Sequence, residues 1–366
     1  MVRLLICAGG TGGGVYPALA VLDVLRDKVD PVLWVGSESG METDLIARTG
    51  LSYATIPAAG VHGVGLRSLP GNLLLLARGI KASRSVLKDF NPDVLFFTGG
   101  YVAVPMALAA RKQASVLYVP DIEPGLALKT LARFATHITI TAAESKKYLP
   151  ATSTITVTGY PTRPELGGMD KHLARRQLGL KQDEMVLLVF GGSKGAHSIN
   201  QALLTCLPQL LEKTQIVHIT GQADWQTVTE TSSKLKKHLR VRYHAHPYLH
   251  AEMGAALASA DLTVCRAGAS TLGELPLFGL PAVLIPYPYA WRYQKVNAAY
   301  LAEHGAALVL EDSRLNEELL STVSILLADR FKLGGMQKAM SALAVGDAAR
   351  RIAQIILDTA EARKHD

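Results

Sequence analysis

Short apolar runs rich in Val, Ile and Leu alternate with helical patterns along the whole chain. In the first half, Arg3–Cys7, Val32–Val35, Val94–Thr98, Ser115–Val119 and Ile138–Ile140 read as strands. The series restarts after Thr156–Thr158, with Met185–Phe190, Gln215–Ile219, Leu239–Tyr243, Leu262–Cys265 and Ala282–Ile285 as a second set of buried strands. This rhythm belongs to parallel sheets wrapped in helices, and two series predict two doubly wound sheets. The length of 366 residues agrees, since it exceeds the usual size of one domain and calls for two hydrophobic cores. Between the series lies Gly159-Tyr160-Pro161-Thr162-Arg163-Pro164, whose glycine and prolines disfavour a continuous helix or strand. The expected domains are therefore 1–159 and 160–366. A final helical pattern, about Asp347 to Glu361, is free to pack on either.

Two glycine-rich turns follow predicted strands and open helices. Gly9-Gly10-Thr11-Gly12-Gly13-Gly14 lets the backbone fold tightly and approach a ligand without Cβ interference. It is not a dinucleotide fingerprint, because the third glycine of that motif would fall on Val15, and not a Walker A loop, because no Lys-Ser/Thr follows. Gly191-Gly192-Ser193-Lys194-Gly195-Ala196 follows the apolar strand ending at Phe190 and leads into a helix toward Leu203. Free N–H groups and the positive end of a helix dipole suit a diphosphate there, with the Ser193 hydroxyl as a further donor. A tight turn without a ligand is the alternative for the first loop, and a solvated lysine is the alternative for Lys194.

Composition narrows the partners. With 49% hydrophobic and 19% charged residues the chain is a folded protein rather than a disordered one. A net charge of +7 implies an anionic partner, whether nucleic acid, acidic membrane or phosphorylated small molecule. Nucleic acid is disfavoured, because aromatics make up only 6% and do not interleave with the basic residues. Cys7, Cys206 and Cys265 are odd in number and lack metal-ligand spacing, which suits a reduced, cytoplasmic protein. Neither a signal peptide nor a membrane-spanning stretch is evident.

Cys265-Arg266-Ala267-Gly268-Ala269-Ser270-Thr271-Leu272-Gly273-Glu274 is the most informative stretch. It reads as a strand, a small-residue turn and a helix with one acid, and a carboxylate there can accept both adjacent hydroxyls of a ribose. A salt bridge or a solvated helix position is the other reading of Glu274. Together with Gly-Gly-Thr-Gly-Gly at 9–13, Gly-Gly-Tyr-Val at 99–102, Gly-Gly-Ser-x-Gly-Ala at 191–196, Arg-x-Gly-Ala at 266–269 and Asn297-Ala298, it resembles the MurG family. These motifs run in one order across nearly the whole chain.

The resemblance implies the GT-B fold, two doubly wound Rossmann-like domains facing each other across a cleft. It also implies UDP-N-acetylglucosamine as donor, a polyprenyl-diphosphate-linked N-acetylmuramyl-peptide as acceptor, and inversion at the anomeric carbon without an obligatory metal or cofactor. Carried over by position, Glu274 holds the uridine ribose, while Gly192, Ser193 and the following amides hold the diphosphate. Arg163 reaches donor or phosphate, Gln294 contacts sugar hydroxyls, and the backbone at Leu249 and His250 reads uracil. Thr11, Gly12 and Gly13 in the first turn, and Arg266, Gly268, Ala269 and Ser270 in the second domain, complete the expected donor set.

Departures cluster on the acceptor side. Gly14 stands where the family usually has His, Tyr118-Val119-Pro120-Asp121 where it reads His-Glu-Gln-Asn, and Gly159-Tyr160-Pro161 where it reads Gly-Asn-Pro. Trp291 replaces an aspartate in the loop before Arg292. An inverting transfer needs a base for the acceptor hydroxyl and positive groups for the departing diphosphate. Without an imidazole at position 14, Asp121 and then Glu123 are the lead candidates, since they follow a strand at the edge where such sheets bind ligands. Capping of the next helix is their alternative role. His62, between glycines, is the third candidate.

In the segment Leu66–Lys88, Leu73–Leu76 precede Arg78, Lys81, Arg84 and Lys88. An apolar stripe with a basic flank suits an anionic membrane surface at the inner face of the plasma membrane, where a lipid-linked acceptor is collected. An ordinary helix with its leucines in the core is the alternative. Two further function classes stay open: a related UDP-sugar transferase with a different lipid or secondary-metabolite acceptor, and a non-catalytic UDP-sugar-binding protein.

Overall fold

The computed structural model describes residues 1–9, 12–37, 46–47, 49–58, 69–192, 195–250, 252–289 and 293–363. The chain divides into two units, one of Met1–Arg163 with the C-terminal segment from Asp347, the other of Pro164–Gly346.

In the first unit seven strands form one sheet: β1 Val2–Ala8, β2 Val29–Ser37, β3 Ser52–Ile56, β4 Val94–Gly99, β5 Ser115–Val119, β6 His137–Ile140 and β7 Ile155–Val157. Their order is β3-β2-β1-β4-β5-β6-β7 and all neighbours are parallel. Parallel strands need helical crossovers, which cover both faces, so the central strands are apolar throughout rather than alternating. β4 and β5 are buried at every position. The strand order reverses between β1 and β4, and the loops leaving the carboxyl ends of those strands flank the crevice where such sheets bind ligands.

The second unit repeats the plan with β8 Val186–Phe190, β9 Gln215–Ile219, β10 Tyr243–His246, β11 Leu262–Cys265, β12 Ala282–Leu284 and β13 Ala307–Val309, ordered β10-β9-β8-β11-β12-β13 and again all parallel. Its reversal lies between β8 and β11. Two outer strands, β3 and β13, escape the sequence pattern because they are short and only partly buried. The strand expected at Leu239–Tyr243 is displaced: Lys237–Arg240 forms a helical turn that buries Leu239, and β10 begins at Tyr243. An edge strand has one protein neighbour, so Tyr-His-Ala-His suffices there and the apolar signal is weak.

The C-terminal helix Ala348–Ala362 packs in the first unit, against the helix Gly12–Leu25 and strands β4 to β6. Ile352, Ile356 and Ala360 recur at helical spacing and are buried, and Arg363 donates to the Pro92 carbonyl at 3.1 Å. Thus the second unit ends before this helix, not at the last residue. Among the described residues no helix is long and apolar enough to cross a membrane.

Candidate functional site

At the reversal of the first sheet, the glycine turn after β1 meets the turn after β4. Gly100 has φ +89°, and a Cβ there would stand 2.5 Å from the Gly9 carbonyl oxygen, so only glycine lets these backbones approach. Thr98 clamps the same corner by donating its hydroxyl to the Gly14 carbonyl at 2.7 Å. The nearest atom to a Cβ on Gly14 would be the Thr98 carbonyl oxygen at 3.4 Å, so a side chain has room to start there. Gly12 and Gly13 open the helix Gly12–Leu25. Thr11 and His62 lie outside the described residues. Arg163, expected near the donor, stacks its guanidinium 4.8 Å from the Tyr16 ring centre, beside this turn.

The structure separates the two candidate bases on the β5 edge. Glu123 is 2% exposed and paired with Lys129 Nζ at 3.0 Å, one turn into the helix Leu126–Leu131. A carboxylate buried in an ion pair is a poorer proton acceptor than one at the edge of the sheet, which favours Asp121 over Glu123 as the base. Asp121 is only half-buried. Its charge acts on Tyr118, whose phenol is raised well above the ordinary range, chiefly by burial. Tyr118 itself bonds Thr141 at 2.8 Å inside the core. Gly125 holds the cap position of the next helix.

In the second unit, the turn after β8 sorts its glycines by purpose. A Cβ on Gly191 would lie 2.4 Å from the Gly195 carbonyl carbon, and one on Gly195, at φ +78°, would lie 2.6 Å from the Thr220 oxygen. These two glycines are demanded by the turn itself, which Gly195 N–H closes on the Gly192 carbonyl at 2.8 Å. Gly192 is different, because a Cβ there meets nothing within 4 Å. The same holds for Gly268 in the turn after β11. Open glycines next to a helix start leave backbone accessible to a ligand. Accordingly, Gly195→Ala is expected to destabilise the protein by on the order of 2 kcal/mol or more in a denaturant titration. Gly192→Ala is expected to leave the unfolding midpoint unchanged and to weaken UDP binding in calorimetry. Ser193 lies outside the described residues.

The turn after β11 is built from within. Asn297, fully buried on the helix Tyr293–Glu303, donates to the Ala267 carbonyl at 3.2 Å, and Thr271 donates its hydroxyl to the Gly268 carbonyl at 2.6 Å. Ala269 and Ser270 lie between this turn and the helix Thr271–Phe278, with Ser270 at its cap. Arg266, expected in the donor set, is held in place by partners within the second unit. Its guanidinium is held by Asp312, by the Ser198 hydroxyl at 2.8 Å and by the Ile285 carbonyl at 3.3 Å, and it lies over the Tyr287 ring. The planar fork of Arg fits this role, fixing the loop after β12. Tyr287 N–H in turn donates to Gln294 Oε1 at 2.8 Å, which orients that side chain.

Glu274 is half-buried in the first turn of the helix Thr271–Phe278. It stands near Cys265, whose thiol is pushed up to about 12, mainly by burial and further by this carboxylate. Leu249 and exposed His250 follow β10, with the His250 ring 4.6 Å from that of Tyr248. Among the described residues no group of three or more His, Cys, Asp or Glu is placed to hold a metal ion.

One feature escaped the sequence pattern altogether. His197, Asp224, Asn200, His218 and Tyr243 form a continuous hydrogen-bonded chain that starts just after the turn following β8. These residues are scattered over four segments and carry no shared spacing. The partners of Arg266, Ser198 and Asp312, were missed for the same reason.

Comparison with known proteins adds to this geometry. The N-terminal domain of glycosyltransferase family 28 matches residues 4–140 and its C-terminal domain matches residues 186–352. The chain is 38% identical to the UDP-N-acetylglucosamine–N-acetylmuramyl-(pentapeptide) pyrophosphoryl-undecaprenol N-acetylglucosamine transferase of Desulforudis audaxviator, over 97% of this chain and 98% of that one. It is likewise 38% identical to the protein of the same name from Roseiflexus, over 99% and 96%. Its fold matches the crystal structure of MurG from Acinetobacter baumannii with a TM-score of 0.78 and 26% identity, over 98% of this chain and 100% of that one. The two doubly wound units are those of the GT-B fold.

Proposed function

The chain belongs to the MurG family within glycosyltransferase family 28, and from that premise we propose the reaction and the residues that carry it. It is an N-acetylglucosamine transferase that moves the sugar from UDP-N-acetylglucosamine to lipid-linked N-acetylmuramyl-pentapeptide in peptidoglycan synthesis. Near-full-length identity of 38% to transferases of that name is the observation that carries this reading.

The donor binds at the carboxyl edge of the second sheet. Backbone around Gly192 and Gly268 meets the diphosphate, and Glu274 accepts the ribose hydroxyls. The acceptor presents its hydroxyl to Asp121. As the new oxygen–carbon bond forms on the opposite face from the leaving group, the anomeric carbon–oxygen bond to the diphosphate breaks. The acceptor proton passes to the Asp121 carboxylate, and UDP leaves with the electron pair. Helix N-terminal N–H groups stabilise the charge that develops on it.

The helix Leu69–Phe90 supports a position at an anionic membrane surface. Leu73 and Leu74 are 51% and 54% exposed, about one turn from exposed Arg78 and two from exposed Lys81, so they are not core residues. The opposite face packs closely, since a Cβ on Gly79 would lie 2.3 Å from the Pro57 oxygen. Exposed leucines beside cations fit the interface of an anionic bilayer.

The test is transfer of labelled N-acetylglucosamine to lipid-linked N-acetylmuramyl-pentapeptide in vesicles containing anionic phospholipid. Transfer and co-sedimentation are expected, and Leu73→Gln with Leu74→Gln should release the protein from the vesicles while transfer to a detergent-solubilised acceptor persists. Transfer only to other acceptors would replace the reaction with that of a related transferase. Donor binding without turnover would make the chain a binding protein.

A further inference from the structure

His197 is the first residue of the helix His197–Leu211, directly after the turn that closes on Gly195. Its side chain is 73% exposed, yet its ring is not left to rotate, because Nδ1 lies 2.7 Å from Asp224 Oδ1. Asp224 is fixed in turn: its Oδ2 accepts from Asn200 Nδ2 at 2.7 Å. The same Asn200 nitrogen donates to the Thr220 carbonyl at 2.7 Å, so Asn200 Oδ1 is the side that faces His218 Nε2 at 2.9 Å. Burial lowers His218 to about 3, so it is neutral. With Nε2 donating to Asn200, its Nδ1 accepts the Tyr243 hydroxyl at 2.6 Å. Every partner in this chain is therefore assigned, and the chain ends on an exposed imidazole.

An ionised carboxylate only accepts, so the Asp224 contact sets Nδ1–H inward and turns Nε2 outward. The ring buries little surface, and packing does not account for its orientation. We propose that His197 is a donor-binding residue: in the form with both ring nitrogens protonated, its Nε2–H donates to a diphosphate oxygen of the UDP-sugar, with Asp224 as the positioning carboxylate. This rests on the reading of the second unit as the donor site. The imidazole supplements the N-terminal amides of its own helix and adds a cationic donor where the leaving group gains charge.

Two variants separate binding from structure. His197→Asn keeps an amide N–H where Nδ1–H stands, so Asp224 retains its partner, but it has nothing at Nε2. His197→Gln can place an amide nitrogen near the Nε2 position. Calorimetry with UDP and with uridine on the full chain is expected to show about tenfold weaker UDP binding for His197→Asn, partial recovery for His197→Gln, and unchanged uridine binding in both. UDP binding by His197→Asn at wild-type strength overturns the proposal, as does an equal loss for UDP and uridine, which marks a structural effect. If the wild-type chain itself binds no UDP, the donor-site reading fails first, and the proposal with it.

Discussion

Replacing Asp121 by Asn is expected to lower turnover by about 10²–10⁴-fold, the usual contribution of a positioned general base, while leaving UDP affinity unchanged. Asn keeps the size of the side chain and most of its hydrogen bonding, and removes only the basic oxygen. Asp121 stands on the carboxyl edge of β5, half-exposed, whereas its neighbour Glu123 is buried against Lys129. Glu123→Gln should therefore behave in the opposite way. It leaves the Lys129 ammonium with a neutral partner in a buried setting, which lowers the unfolding midpoint, and it spares turnover in the protein that remains folded. Steady-state transfer rates beside denaturant titrations distinguish the two. In the Asp121→Asn background, Gly14→His tests whether an imidazole can replace the lost base, since the site leaves room for its Cβ. Recovery of part of the rate means that the ring reaches the same hydroxyl. Full turnover in both Asp121→Asn and Glu123→Gln would move the base to another group.

The second large effect is expected at Glu274. Its removal takes the shared acceptor from two ribose hydroxyls, and hydrogen bonds to a charged group contribute about 1.5–3 kcal/mol, so Glu274→Ala should weaken UDP by about 10- to 100-fold. The fold should persist, because the side chain is half-exposed and the helix Thr271–Phe278 is anchored through buried Leu272 and Leu275. Calorimetric titration with UDP, paired with a thermal melt, reads both quantities. An unchanged dissociation constant in a folded variant would make Glu274 a helix residue only. Uridine should suffer the same loss as UDP, which sets Glu274 apart from His197, where only the phosphate-bearing ligand is affected.

Much of this architecture was legible from local pattern. Runs such as Val186–Phe190 and Val94–Gly99 are apolar throughout because parallel strands are buried on both faces, and that need is met within a few consecutive residues. The glycine turns after β1 and β8 were legible for a similar reason: a tight turn is a property of adjacent residues. The amphipathic C-terminal helix was legible as a helix, but its place in the first unit was not, since a buried stripe says nothing about which surface covers it.

What only the tertiary structure decided are the roles of charged and polar side chains. Asp121 and Glu123 look equivalent in Pro-Asp-Ile-Glu-Pro, and it is the position of Lys129 that buries one charge and leaves the other at the edge. The partners that hold Arg266, Asp312 and Ser198, lie 46 and 68 residues away and have no signal near it in the sequence. Gly192 and Gly195 differ by whether the Thr220 backbone stands behind them, and no neighbour in sequence reports that. Backbone conformation and burial periodicity are written in near neighbours. The partners that fix a charge or a hydrogen bond come from distant segments, and they meet only when the sheet order brings the strand ends together.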